Sequence, residues 1–180
     1  LVVEVVLGGA WSGCRRVGMR QLVELGRLDD GLLEEVRQRI EGRAIELAGR
    51  LHIPNLVFGS PKQRDLLPGV SYETAMGYAA EVFSALTHTL ADCGVTLCLE
   101  PLAPSETNFL NTIDQANELI ERVGHPNFRL HLDVKAQSSE PNTTVPELWA
   151  KHGASARHAH GMPVVDDLAV FGRNQHEDGQ

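Results

Sequence analysis

Three apolar segments of the sequence each end on a side chain that could bind a metal ion or move a proton. The segments VTLCLE, FRLHLD and SARHAH finish at Glu100, Asp133 and His160, which are 33 and 27 positions apart. In parallel α/β folds the carboxyl ends of the strands carry the chemistry, because the loops there converge on one cavity. Two carboxylates and an imidazole at that edge form a ligand set suited to Mn²⁺, Mg²⁺, Co²⁺ or Zn²⁺.

The elements that must position these side chains alternate along the chain as strand and helix. Most of the apolar runs are nearly continuous, which is typical of parallel strands covered on both faces. Together these patterns predict an α/β fold, with one domain over residues 1–180 and an irregular tail at 161–180. The predicted strands are 1–7, 55–59, 95–100, 128–133 and 155–160, and the predicted helices are 31–50, 72–93, 112–123 and 144–152.

Each candidate residue also has a simpler structural interpretation. A single acid at the end of a strand is more often a helix N-cap, a turn residue or a solvated charge than a ligand. His131 lies two residues before Asp133 and shares its side of the strand, and a core or supporting role is favoured over direct chemistry. His160 is preferred to His158 as a ligand because it ends its strand, and His158 is expected on the opposite face. Three strand ends in register favour the functional interpretation.

Composition and charge weigh against several classes of protein. With 180 residues and 42% hydrophobic residues the chain can bury a sizeable core. A net charge of −8 weighs against a nucleic-acid partner. The three cysteines lack metal-type spacing, and neither a membrane span nor an export signal is evident, so the sequence predicts a cytoplasmic protein with reduced thiols.

The central part of the sequence, residues 55–160, resembles the sugar phosphate isomerase/epimerase family. These xylose isomerase-like (β/α)8 TIM barrels include ketose 3-epimerases, hydroxypyruvate isomerases and endonuclease IV. The matching motifs are VFGSPKQRDLLPG, LEPL, ETNFLNT, a Gly-His-Pro turn and LDVKA. The resemblance implies one divalent metal ion, with Mn, Mg or Co as the expected metals and Zn as an alternative. It implies Glu100, Asp133 and His160 as ligands, joined by a second Glu from the last strand.

The same resemblance implies isomerisation or epimerisation of a sugar, a sugar phosphate or a hydroxy-keto acid through an enediolate, as in carbohydrate metabolism. Glu100 is the predicted catalytic acid or base, and Glu106 matches a position that contacts substrate hydroxyls. Several epimerases have a substrate-binding His where this chain has Ala136, and Lys135 is the nearest polar replacement.

A further candidate for substrate binding is the loop FGSPKQR, which follows a predicted strand. Ser60, Lys62 and Arg64 in this loop could bind a hydroxyl or a phosphate at the same edge of the sheet. The alternative interpretation is a basic surface loop without a function.

The sequence also departs from the family. Its predicted strands match the third to the seventh, so about five βα units of an incomplete (β/α)8 barrel are expected. By family spacing the last Glu would fall after residue 180, and the substitutes within the chain are Asp166, Asp167 and Glu177.

Two other functions stay open. One is a catalytically impaired fragment or interaction subunit, since open sheet edges favour association, including a homo-oligomer. The other is an endonuclease IV-like phosphodiesterase, against which low basicity and few strand-end histidines argue.

Overall fold

The computed structural model describes residues 3–4, 44–59, 61 and 64–160. Within this part of the chain one sheet has the order β1-β2-β3-β4-β5. β1 pairs with β2 in the antiparallel direction, and the pairs β2–β3, β3–β4 and β4–β5 are parallel. The strands are β1 (Val3–Glu4), β2 (Asn55–Phe58), β3 (Thr96–Leu99), β4 (Phe128–Asp133) and β5 (Ala156–His160).

The sequence prediction of a parallel sheet is confirmed for β2 to β5 and wrong for β1. The prediction was wrong for β1 because a continuous apolar run indicates that both faces of a strand are buried, and it does not indicate the direction of the strand. The four parallel strands with their helices form half of a barrel.

Helices lie between the strands, as the alternating pattern predicts. The predicted helix at 31–50 is described only at its end, because residues 31–43 lie outside the described part of the chain. The sequence analysis did not predict a short helix directly after β4. The helices are α1 (Glu46–Arg50), α2 (Tyr72–Asp92), α3 (Ile113–Val123), α4 (Val134–Gln137) and α5 (Val145–His152).

Local capping residues fix where the helices begin and end. The side chain of Ser71 accepts a hydrogen bond from the main-chain N–H of Thr74 and starts α2. Thr112 and Gln115 form a reciprocal capping box at the start of α3. Gly124 ends α3 with a left-handed φ of 63°, a conformation that glycine adopts without strain. The helices predicted at 72–93 and 112–123 are therefore confirmed to within one residue at each end.

An aromatic cluster fixes the strands against α2. The rings of Phe58 in β2 and Phe83 in α2 meet edge to face with centroids 5.2 Å apart. Phe83 also stacks on Phe128 of β4 at 4.7 Å. All three side chains are buried, and such pairs add about 0.5–1.5 kcal/mol to the hydrophobic contribution of each contact. The aromatic cluster thus packs β2 and β4 against α2.

Several predicted features lie outside the described residues. They include the irregular tail at 161–180 and the loop residues Ser60 and Lys62, together with the alternative acids Asp166, Asp167 and Glu177. Among the helices that are described, none is both long and apolar enough to cross a membrane.

Candidate functional site

Neighbouring strands bring the three predicted ligands to one edge of the sheet. Glu100 follows directly after β3, while Asp133 and His160 are the last residues of β4 and β5. The parallel register places Asp133 opposite His160 and His131 opposite His158. Because adjacent strands are about 4.8 Å apart, side chains on one face of this edge are within reach of each other.

Two overlapping groups of possible ligand atoms lie at this edge. Glu100, His131 and Asp133 each offer one ligand atom, and these atoms lie within 4.8 Å of one another. His131, His158 and His160 form a second group within the same limit. His131 belongs to both groups and therefore joins the carboxylates to the histidines of β5.

The expectation that His158 faces away from His160 is wrong. Residues two positions apart in a strand point to the same face. The ring centroids of His158 and His160 are 4.9 Å apart, and those of His131 and His158 are 5.1 Å apart. The spacing His-x-His in the sequence contained this information, and it would have placed both rings at the site.

His131 is the most buried of the three histidines, with no exposed surface. Its Nδ1 lies 3.2 Å from Nδ1 of His158, and its Nε2 has no hydrogen-bond partner among the described residues. Burial, together with the neighbouring rings of His160 and His158, lowers the pKa of His131 from 6.5 to about 3. The imidazole is therefore neutral near pH 7, which is the form that binds a metal ion.

Asp133 is a helix N-cap, which is one of the simpler structural roles expected for an acid at the end of a strand. Its side chain accepts a hydrogen bond of 3.1 Å from the main-chain N–H of Ala136 and caps α4. This hydrogen bond occupies only one of the about four acceptor sites that the two oxygens of a carboxylate offer. Asp133 can therefore cap a helix and face a cation at the same time.

A buried arginine holds the main chain at Glu100. The Nη1 atom of Arg64 donates to the main-chain carbonyl of Glu100 at 2.6 Å, and Nη2 donates to that of Phe58 at 2.8 Å. Arg64 is 1% exposed, and burial lowers its pKa to about 10, so it remains charged near neutral pH. The interpretation of Arg64 as part of a surface loop is wrong, because its side chain is buried and its guanidinium donates to these two carbonyls.

Gly59 leaves room for the Glu100 carboxylate. A Cβ atom built on Gly59 would overlap the Oε2 atom of Glu100. The glycine directly after β2 thus allows the acid directly after β3 to occupy its position.

The two described residues that were predicted to bind substrate contact each other. Lys135 Nζ donates to Glu106 Oε1 at 2.7 Å, and this hydrogen bond raises the pKa of Lys135. The Lys135 side chain is largely exposed, whereas that of Glu106 is 25% exposed. The third candidate, Lys62, lies outside the described residues.

A cavity of about 620 Å³ lies between the loops that follow β2 and β3. Glu106 belongs to its wall. Asn108 joins the two loops, because its side chain accepts a hydrogen bond from the main-chain N–H of Leu66 at 2.7 Å. The lining residues are Asp65, Leu66, Leu67, Pro68, Pro104, Ser105, Glu106, Thr107 and Asn108.

The family of the chain follows from a comparison with family models. The model described as xylose isomerase-like TIM barrel matches residues 4–178. The chain belongs to this family, as the sequence motifs predict.

Comparison with individual proteins is consistent with this assignment. L-ribulose 3-epimerase of Mesorhizobium japonicum (strain LMG 29417 / CECT 9101 / MAFF 303099) is 26% identical over 165 residues, which cover 88% of this chain and 53% of that protein. The chain thus spans about half the length of this curated relative.

Solved structures with the same fold include two sugar epimerases. D-psicose 3-epimerase from Clostridium cellulolyticum H10, solved with D-tagatose, has a TM-score of 0.64 at 17% identity over 77% of this chain and 48% of that chain. A structure of L-ribulose 3-epimerase has a TM-score of 0.62 at 20% identity over 83% of this chain and 57% of that chain. At these identities the likeness shows the fold, and the predicted incomplete TIM barrel is confirmed.

Proposed function

We propose that this chain carries the metal-binding part of a sugar isomerase or epimerase, with 3-epimerisation of a ketose as the preferred reaction. The observation that carries the proposal is the meeting of Glu100, His131 and Asp133 at the carboxyl edge of a xylose isomerase-like sheet, with His160 opposite Asp133. Similarity to L-ribulose 3-epimerase supports the choice of a sugar as substrate.

The residues at this edge fit a divalent cation. Glu100 and Asp133 supply carboxylate oxygens, and the proposed ligand His160 supplies an imidazole nitrogen. Mn²⁺, Mg²⁺, Co²⁺ and Zn²⁺ all accept such mixed oxygen and nitrogen ligands. His131 belongs to the same group of possible ligands, and its Nε2 has no hydrogen-bond partner among the described residues, as expected if a cation belongs there. A bound divalent ion supplies Lewis acidity toward the carbonyl and hydroxyl oxygens of the sugar.

Glu100 is the proposed acid/base residue of this half of the site. Its carboxylate would remove the proton from the carbon next to the sugar carbonyl, so that the substrate becomes an enediolate. Return of a proton to the same carbon from the opposite face, by a second acid, completes epimerisation. Return to the neighbouring carbon from the same face completes isomerisation. Residue Glu106 would accept a hydrogen bond from a sugar hydroxyl, and its contact with Lys135 places an ammonium group beside it that could bind a hydroxyl or a phosphate.

A second candidate function is that of an interaction subunit with impaired activity. The observation in its favour is that β1 and β5 stand at the two edges of the sheet within the described residues. A half-barrel sheet has edges that pair readily with another chain. Sedimentation at several protein concentrations distinguishes this candidate, because an interaction subunit should associate and a self-sufficient enzyme need not.

The first test measures bound metal in the dialysed full chain after exposure to Mn²⁺, Co²⁺ or Zn²⁺. About one ion per chain is expected, and the Glu100→Gln, Asp133→Asn double variant should lose it. A Glu81→Gln, Glu121→Gln double variant is the matched control, since it removes the same charge from two exposed acids. Absence of metal in every protein would overturn the proposal. If metal binds, epimerisation of L-ribulose and D-psicose is assayed next, and metal binding without turnover favours the interaction subunit.

A further inference from the structure

His131 lies where the two groups of possible ligands overlap, although its sequence position favours a core or supporting role. We propose that Nε2 of His131 is itself a ligand of the metal centre, and that His158 is the hydrogen-bond partner that orients its ring. The centre would then be richer in nitrogen than the three strand ends alone, and would select Zn²⁺ or Co²⁺ over Mg²⁺ and Mn²⁺. This inference rests on the metal centre proposed above.

The burial of His131 is the first argument. The side chain has no exposed surface, and Nε2 has no hydrogen-bond partner among the described residues. Buried polar atoms in native proteins are almost always paired, and those without a partner call for an explanation. A cation bound at Nε2 would supply the missing partner.

The hydrogen bond to His158 is the second argument. The two Nδ1 atoms are 3.2 Å apart, so one ring must donate and the other must accept. If His158 donates, His131 carries its proton on Nε2 and leaves it buried without an acceptor. If His131 donates, its Nε2 carries a lone pair that can bind a cation. The second arrangement is the one usual for metal-binding histidines, whose other nitrogen donates to a neighbouring group.

The position of His131 among the other ligands is the third argument. One of its ring nitrogens lies within 4.8 Å of carboxylate oxygens of Glu100 and Asp133. It belongs equally to the group that contains His160. Two ligands that are each about 2.0–2.2 Å from one zinc ion are at most about 4.4 Å apart. Side-chain shifts of a few tenths of an ångström would therefore bring a nitrogen of His131 and the oxygens of Glu100 and Asp133 around one ion.

The metal preference follows from the donor atoms. Imidazole nitrogen suits zinc and the later transition metals, whereas carboxylate and water oxygens suit magnesium and manganese. A second imidazole in the ligand set should therefore raise the preference for Zn²⁺ and Co²⁺.

The test combines metal affinity with nitrogen NMR of the full chain labelled with ¹⁵N-histidine. On addition of Zn²⁺ the Nε2 signal of His131 is expected to shift while its Nδ1 remains protonated. Zn²⁺ affinity should fall more than about 100-fold in His131→Gln, and the preference for Zn²⁺ over Mn²⁺ should shrink. The Zn²⁺ affinity of His158→Gln should fall on the order of 10–100-fold, the usual cost of removing the group that orients a metal ligand. His88→Gln is the matched control, because His88 has an 86% exposed side chain on α2 and should bind Zn²⁺ normally.

The outcomes separate this inference from the proposed function. An unmoved Nε2 signal and unchanged Zn²⁺ affinity in a folded His131→Gln variant would overturn the role of His131. The metal centre itself would still stand if Glu100→Gln, Asp133→Asn loses the ion. A wild-type chain that binds no metal would overturn both. If His131→Gln does not fold, the shift of the His131 Nε2 signal in the wild-type spectrum decides whether His131 binds Zn²⁺. The spectra of His88→Gln and His158→Gln then help to assign the histidine signals.

Discussion

Arg64 donates a 2.6 Å hydrogen bond to the main-chain carbonyl of Glu100, so a fully buried guanidinium holds the residue proposed as ligand and base. The same guanidinium binds the carbonyl of Phe58 and lies over the Phe58 ring, with its Cζ 4.8 Å from the centroid. It therefore ties the end of β2 to the end of β3. The geometry at Glu100 depends on a residue that does not itself end a strand.

Replacement of Arg64 by Met should destabilise the protein strongly. Two hydrogen bonds from a charged donor would be lost, at a cost of about 1.5–3 kcal/mol for each bond. The free energy of unfolding in urea should fall by about 3 kcal/mol or more. Arg157→Met is the control, because Arg157 is exposed and its single bond to Asn55 is 3.2 Å long. Equal losses in the two variants would contradict the role assigned to Arg64.

Replacement of Gly59 by Ala should weaken metal binding more than it weakens the fold. The new Cβ would overlap the Glu100 carboxylate, which is the movable end of a side chain and would have to turn away. Metal affinity should fall, with a small change in the midpoint of unfolding. Gly77→Ala is the control, since a Cβ there meets nothing within 4 Å and lies inside α2. That control should gain about 0.5–1 kcal/mol of stability and bind metal normally. Normal metal affinity in Gly59→Ala would show that Glu100 is not a ligand in this position.

Two substitutions of Asp133 should separate its capping role from its proposed role as a ligand. Asn caps a helix about as well as Asp, so Asp133→Asn should lose metal with little loss of stability. Asp133→Ala should lose metal and also about 1 kcal/mol, the usual cost of removing a cap. Metal analysis and urea unfolding of both variants give the answer. A stable Asp133→Asn variant that still binds the metal would contradict the ligand role of Asp133 and support only its role as a helix cap.

Stability should fall in acid partly because of His152. Its side chain is buried, its Nδ1 contacts Asn117 at 3.3 Å, and burial followed by the charge of Lys151 lowers its pKa below 6.5. Below pH 6.5 the unfolded chain binds more protons than the folded chain at this residue, so the free energy of unfolding decreases as the pH falls. The contribution is fully present above pH 6.5.

The measurement is urea unfolding at pH 7.5 and pH 5.5, for the wild type and His152→Gln. The variant lacks the titrating group, so its stability should change less between the two pH values. His88→Gln is again the control, because it removes an imidazole from the exposed surface instead of a buried one. An identical pH dependence in wild type and His152→Gln would show that His152 does not titrate differently on folding.

Local signals in the sequence were sufficient for much of the fold. The helix boundaries at Ser71, Thr112 and Gly124 depend on side chains and glycine within a few residues, so they can be read without the fold. The strand-end positions of Glu100, Asp133 and His160 follow equally from runs of apolar residues. The face of His158 was also determined by the sequence, through the alternation of side chains along a strand, although it was assigned incorrectly.

Long-range contacts were decided only by the tertiary structure. The antiparallel direction of β1, the buried position of Arg64 and the pairing of Glu106 with Lys135 all join segments far apart in the chain. The meeting of His131 with His158 and the carboxylates likewise depends on strand register. The sequence alone determined which residues stand at the strand ends, because periodicity and capping are local. The tertiary structure determined which of them meet and which charges are buried, because packing brings together residues that no local pattern connects.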